Sequence, residues 1–339
     1  MKNITVRVAI VDFSDFFSEE SILNLLKKEI NPIRDYKNPE VVFYSTFGMK
    51  HLQYKNAIKV LINVESFIPD FNDCDYSIST INLNIMGRNL WIPACYWFSR
   101  QTLGNIPQIQ KEEATKRKFC IFLYSQEYYG EGARLRKQFC QKLMAEYKFV
   151  ECPGKVLHNT DVETLAQRDT DNWIETKRIY FSNFKFGIAF ENMDLPGYIT
   201  EKLTDCYMAN VVPIYWGSSE GCAPFPKESM ICAHDFASED ELIEYIKKVD
   251  QDDELYMSIL NANPLRNDKI YCQFLEQIKD FLHKIVTEKK HLFTDTHPLS
   301  SARYSQQLML QMDAPLIRAH QFCKQILKNT LKKIKAATK

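Results

Sequence analysis

Glycine is scarce in this chain, at 10 of 339 residues. Neither G-x-G-x-x-G nor G-x-x-x-x-G-K-[ST] occurs. Dinucleotide oxidoreduction and P-loop phosphoryl transfer therefore lose their usual phosphate-binding signatures. No stretch of about 18 unbroken apolar residues is present, so no membrane-spanning helix is expected. The opening apolar run, Ile4 to Val11, is interrupted by Arg7, ends at Asp12 and has no signal-peptide cleavage pattern. Charge of one sign is also missing: 43 Lys and Arg face 43 Asp and Glu. That balance argues against a nucleic-acid partner, which calls for a basic excess. The ten cysteines form no C-x-x-C pair and the seven histidines no H-x-x-x-H pair. Neither a zinc site nor a disulfide framework is expected. Most of the cysteines read as reduced core residues of a cytoplasmic protein.

What is present is an ordinary globular composition, 45% apolar and 25% charged. The length suits two domains of roughly 100–200 residues each. Strand-like and helix-like patterns alternate along the first third. Ile4–Val11, Val41–Tyr44 and Ile58–Val64 read as strands, and Glu19–Ile30 as an amphipathic helix. Gln108–Lys118 is polar enough to be a linker. A second series follows, with strands at Phe119–Tyr124, Phe184–Phe190 and Val211–Tyr215 and helices at Ala133–Tyr147 and Glu201–Ala209. Helical periodicity dominates from Glu239 onward. Such alternation predicts an α/β fold of two Rossmann-like domains facing a cleft, with ligands at the carboxyl ends of the strands.

The densest feature is Phe190 to Gly217, FENMDLPGYITEKLTDCYMANVVPIYWG. A buried strand ends at Glu191-Asn192, Pro196-Gly197 turns the chain, and Thr200 is a good N-cap for a helix starting at Glu201. Lys202 falls in the first helical turn, where a cation opposes the helix dipole. An anion bound at that helix start would account for it. The alternative is a solvated lysine on a surface helix.

The segment resembles the signature of the α-1,3/4-fucosyltransferase family, above all its bacterial members. The matching residues are Phe190-Glu191-Asn192, Tyr198-Ile199-Thr200-Glu201-Lys202 and Val212-Pro213-Ile214-Tyr215-Trp216-Gly217. Asn210 stands where many members have glycine. Further blocks agree. Lys118–Phe122 is followed by Arg136-x-x-Phe139, Leu143 and Tyr147-Lys148, and then by Val150 to Gly154. Val64-Glu65-Ser66 leads to Asp75-Tyr76, and Gly87-Arg88-x-Leu90-x-Ile92-Pro93 follows, with Trp91 where the family has a second arginine.

The resemblance implies a GT-B fold and inverting transfer of L-fucose from GDP-fucose to a sugar hydroxyl. It implies residues 1–112 as the acceptor domain and 116–294 as the GDP-fucose domain. Residues 300–339 would form a helix packing back on the first domain and a basic amphipathic tail. Glu65 maps to the general base. Arg136 and Lys202 map to the cations on the diphosphate, and Asn192, Tyr198 and Glu201 to further donor contacts. The acceptor it favours is the 3-hydroxyl of N-acetylglucosamine in an N-acetyllactosamine unit, giving a Lewis X-like antigen such as a lipopolysaccharide O-antigen carries. No cofactor or metal is expected, because cationic side chains take the metal's place. The D-x-D pairs Asp73/Asp75, Asp169/Asp171 and Asp250/Asp252 read as structural or solvated. His158-Asn159 reads as a surface loop or a neighbour of the nucleotide. Cys323, Leu327, Leu331 and Ile334 share a helix face among lysines, which reads either as an anchor for an anionic membrane surface on the cytoplasmic side or as a solvated terminal helix packed back on the first domain. Two rivals stay open: a GT-B enzyme using another nucleotide sugar, and a non-catalytic carbohydrate-binding relative.

Overall fold

The computed structural model describes residues 4–13, 19–27, 30–94, 106–128, 130–165, 173–218 and 225–288. Eleven strands are found among them, in two sheets. The first sheet has the order β2-β1-β3-β4-β5-β6, with β1 Thr5–Val11, β2 Asn31–Arg34, β3 Val41–Tyr44, β4 Ile58–Asn63, β5 Tyr76–Ser79 and β6 Asn89–Trp91. The second has the order β11-β10-β9-β7-β8, with β7 Lys118–Ile121, β8 Val150–Glu151, β9 Phe184–Phe190, β10 Val212–Trp216 and β11 Ile231–Cys232. Its four pairings are all parallel. The parallel α/β class expected from the alternation is what the chain adopts. The described residues form two compact units. One takes the chain up to Leu61 with Asp70–Tyr76 and the segment from Ile285, and the other takes Ile62–Pro69 and Ser77–Lys284.

In the second unit, β9 is buried along its whole length. Its apolar residues divide between two clusters. Phe186, Ile188 and Phe190 pack with Phe122 and Ile214, while Phe184 and Ala189 pack with Ile121, Leu203 and Tyr207. A strand covered on both faces reads as a continuous apolar run, and FKFGIAF does so except at Lys185. The Lys185 ammonium lies 2.6 Å from Asp250 Oδ1 and donates to the Asp250 carbonyl at 2.8 Å. Asp250 also accepts from Tyr147 at 2.8 Å and pairs with Lys148 at 2.5 Å. Its neighbour Asp252 accepts from the backbone N–H groups of Glu254 and Leu255, capping the helix Asp253–Asn261. This D-x-D pair is therefore structural at both positions.

Several local expectations change. The helix from Glu19 stops at Leu26, and Asn31–Arg34 is an edge strand. Pro32 hid it, since proline is tolerated in strands mainly at edges. The expected linker holds a short helix, Lys111–Ala114, and gives its last residue to β7. Asn210 has φ +53°. It supplies what a glycine there cannot: its amide donates to the Pro107 carbonyl at 3.0 Å and accepts from Arg266 at 3.1 Å. The helix and tail expected over 300–339 lie outside the described residues, as do Asp169/Asp171. Cys140 and Cys152 face each other at 3.9 Å as free thiols in the core.

The Asp250 carboxyl is held below the usual aspartate range. Burial opposes its ionisation, but Lys148, Lys185 and Tyr147 outweigh it. Its contribution is complete above the unfolded value of about 3.9 and fades as pH falls through the lower folded value. Asp250→Asn leaves the Lys185 ammonium buried without a counter-charge. It should cost about 3 kcal/mol in urea unfolding at neutral pH, with a smaller deficit in acid.

Candidate active site

In parallel sheets ligands gather beyond the carboxyl ends of the strands, where the strand order reverses. In the second sheet that reversal lies between β7 and β9. β7 leads into Leu123–Gln126, and β9 into Glu191-Asn192. Two cavities open there, sharing Leu123, Tyr124, Ser125 and Lys177 in their walls. The larger, about 530 Å³, is bordered by Pro153, Gly154, His158 and Trp173 among others. The smaller, about 220 Å³, is bordered by Glu65, Arg136, Asn192, Glu201 and Lys202. Five of the six expected site residues thus meet in one cavity. The sixth, Tyr198, is buried and lines neither.

Arg136 is placed by the start of its helix, Glu131–Glu146. That helix abuts the β9 exit so closely that a Cβ at Gly132 would lie 2.0 Å from the Glu191 carbonyl, and one at Gly130 2.3 Å from that of Asn192. The guanidinium donates to Asn192 Oδ1 at 2.8 Å and to the Gln126 carbonyl at 2.7 Å, and it stacks 4.0 Å above the Tyr124 ring. Asn192 is thereby a partner of the arginine as well as a wall residue. Arg134, two residues away, is exposed.

The helix start at Glu201 departs from the simple cap. Thr200 has the extended backbone of an N-cap but makes no side-chain cap bond. Its hydroxyl donates instead to Glu191 Oε2 at 2.7 Å, and its N–H donates to Glu191 Oε1 at 2.7 Å. Glu191 is fully buried and needs these donors more than the helix does. Lys202 lies 3.2 Å from Glu191 Oε2 and donates to Thr200 Oγ1 at 2.7 Å. It is thus a cation set beside a buried counter-charge, not a solvated surface lysine. Burial pushes the Glu191 carboxyl above its ordinary pKa against the pull of Lys202. Burial opposes ionisation of Glu201 as well, but there Lys202 and Lys177 prevail and hold its carboxyl below the usual value.

Glu65 follows the end of β4 and remains exposed. Asn63, wholly buried at the last position of that strand, holds the loop around it. Its Oδ1 accepts from the Glu65 N–H at 3.1 Å, and its Nδ2 donates to the carbonyls of Glu65 at 3.2 Å and Phe67 at 2.6 Å. The Glu65 carboxyl is pushed above the ordinary glutamate value by loss of hydration and then by the charge of Glu201, with Lys202 acting the other way.

Four contributors had no assigned role in the sequence: Glu191, Asn63, Tyr124 and Lys177. Glu191 lies inside the F-E-N block but only the fold buries it. Asn63 carried a local signal, an amide two residues before a loop glutamate. Lys177 pairs with Asp205, 28 residues away, and no spacing announces that. Trp91 is a tether: its indole N–H donates to the carbonyls of Thr80 and Gly197, at 3.2 and 2.9 Å. His158 borders the larger cavity, whereas Asn159 is spent on the backbone of Val150 and Cys152.

Two parallel sheets with a charged cavity at the switch point of the second place the chain in the GT-B fold class. Two family profiles match it in tandem: the alpha-(1,3)-fucosyltransferase FucT N-terminal domain over residues 8–98, and the C-terminal domain of glycosyltransferase family 10 (fucosyltransferase) over residues 114–281. The chain belongs to glycosyltransferase family 10. Alpha-(1,3)-fucosyltransferase FucT of Helicobacter pylori is 27% identical over 286 residues, covering 73% of this chain and 57% of that protein. Solved structures of an α1,3-fucosyltransferase with GDP and with GDP-fucose share the fold, with TM-scores of 0.66 and 0.63 at 22% identity. They cover 86% and 83% of this chain, and 92% and 91% of theirs. The chain spans 26–57% of the length of the first curated relatives it matches.

Asn63→Leu keeps the size of the side chain but removes three hydrogen bonds. It should destabilise the chain by about 2–3 kcal/mol in urea unfolding, at about 1 kcal/mol per bond. Proteolysis should then begin near residues 65–68.

Proposed function

We propose that this chain transfers L-fucose from GDP-fucose to the 3-hydroxyl of N-acetylglucosamine in an N-acetyllactosamine-type glycan, with inversion at the anomeric carbon. The supporting observation is the small cavity that gathers a carboxylate of raised pKa, Glu65, with Arg136, Asn192, Glu201 and Lys202. A single displacement needs those groups. Glu65 accepts the proton of the acceptor hydroxyl as its oxygen bonds to the anomeric carbon. The bond from that carbon to the diphosphate breaks, and the electron pair leaves with GDP. Arg136 and Lys202 stabilise the charge that develops on the leaving diphosphate. A guanidinium already oriented by Asn192 and Gln126 loses little freedom on binding. Glu201, kept ionised, faces the sugar ring as it gains positive charge. The larger adjoining cavity takes the nucleoside, and residues 1–112 hold the acceptor.

The reading is tested by mass spectrometry of a reaction containing GDP-fucose and N-acetyllactosamine. A product heavier by one deoxyhexose supports it, and linkage analysis then fixes the position. No product, and protection against heating by UDP but not GDP, overturns it. Glu65→Gln should lower the transfer rate by about 10²–10⁴-fold while GDP binding is unchanged. A protonated Glu65 accepts nothing, so the rate of the unmodified chain should fall on the acid side at a pH above the ordinary glutamate value of about 4.3.

A further inference from the structure

The two cations assigned to the diphosphate are largely occupied. Arg136 spends its terminal nitrogens on Asn192 and Gln126, and its Nε is buried. Lys202 shares its charge with Glu191 and lies 3.7 Å from Glu201. Glu65 adds a second carboxylate to the cavity wall that Glu201 lines. A diphosphate brings more negative charge than these two cations offset, so a further cation within reach strengthens its binding.

Lys177 answers the shortage by position. It stands on the helix Trp173–Phe181 with its side chain 17% exposed. Among the described residues in both cavity walls, it is the one that carries a charge. A nucleotide sugar with its nucleoside in the larger cavity and its sugar in the smaller passes its diphosphate across that shared wall. Asp205, buried on the helix Glu201–Met208, pairs with the Lys177 ammonium. It holds Lys177 as Glu191 holds Lys202: each lysine bordering the small cavity has a carboxylate at its back. Resting on the nucleotide-sugar reading, we propose that Lys177 is a third cation on the donor diphosphate, bridging the nucleoside and sugar cavities.

The rival role for Lys177 is a structural tie between its helix and the Glu201 helix, and ligand choice separates the two. Titration calorimetry on the full chain would compare GDP with guanosine, which lacks phosphate. Lys177→Gln should weaken GDP at least about tenfold, the loss of a charged hydrogen bond, and guanosine less than about twofold. Lys177→Arg should recover part of the GDP affinity. Asp205→Asn should leave GDP affinity within about threefold, since the ammonium stays. Equal losses for GDP and guanosine in Lys177→Gln, or no loss for GDP, overturn the proposal. So does an Asp205→Asn variant as weak for GDP as Lys177→Gln. An unmodified chain that binds neither ligand overturns the donor reading itself, a result distinct from all of these.

Discussion

A carboxylate without access to water, Glu191, fixes the geometry on which the site depends. It stands where the central strand β9 ends, and water cannot satisfy it. Its charge requires donors, and the next segment of chain brings three: the N–H and hydroxyl of Thr200 and the ammonium of Lys202. These bonds set the start of the Glu201 helix against the strand before any ligand arrives. They also hold a lysine in the first helical turn, which the helix dipole alone disfavours. On the other side, the backbone of Glu191 and Asn192 receives the start of the Arg136 helix, which only residues as small as Gly130 and Gly132 allow to come so near. One strand end thus carries both cationic walls of the small cavity.

The electrostatics follow from that arrangement. Glu191, Glu201 and Glu65 occupy one neighbourhood, and their carboxyls are pushed in different directions. Burial raises Glu191, the lysines hold Glu201 ionised, and lost hydration with the charge of Glu201 raises Glu65. Environments that separate like groups in this way divide the labour among them. In the proposed reaction the carboxylate that takes a proton gains from a raised value, while the one that faces developing positive charge must stay ionised.

Much of this was legible in the residues. The alternation of strands and helices gave the fold class, and the strand ends at Val64 and Phe190 placed Glu65 and Asn192 at carboxyl ends. Strands built of unbroken apolar runs, such as Val41–Tyr44 and Phe184–Phe190, have the boundaries those runs suggested. The short strands Asn31–Arg34, Tyr76–Ser79 and Asn89–Trp91 did not stand out, because proline, serine and asparagine dilute their pattern. At the site, sequence spacing found the position of the helix cap but not its bond, since a residue nine positions earlier outcompetes the helix for the Thr200 hydroxyl. Lys177 was invisible for a similar reason: it stands out only by bordering two cavities, and only the folded chain has cavities.

A crystal structure of the chain grown with GDP measures the central claim most directly. The account predicts the diphosphate against Arg136 and Lys202 at the junction of the two cavities, with the guanosine in the larger. GDP bound elsewhere, or neither cavity occupied at saturating nucleotide, would contradict it.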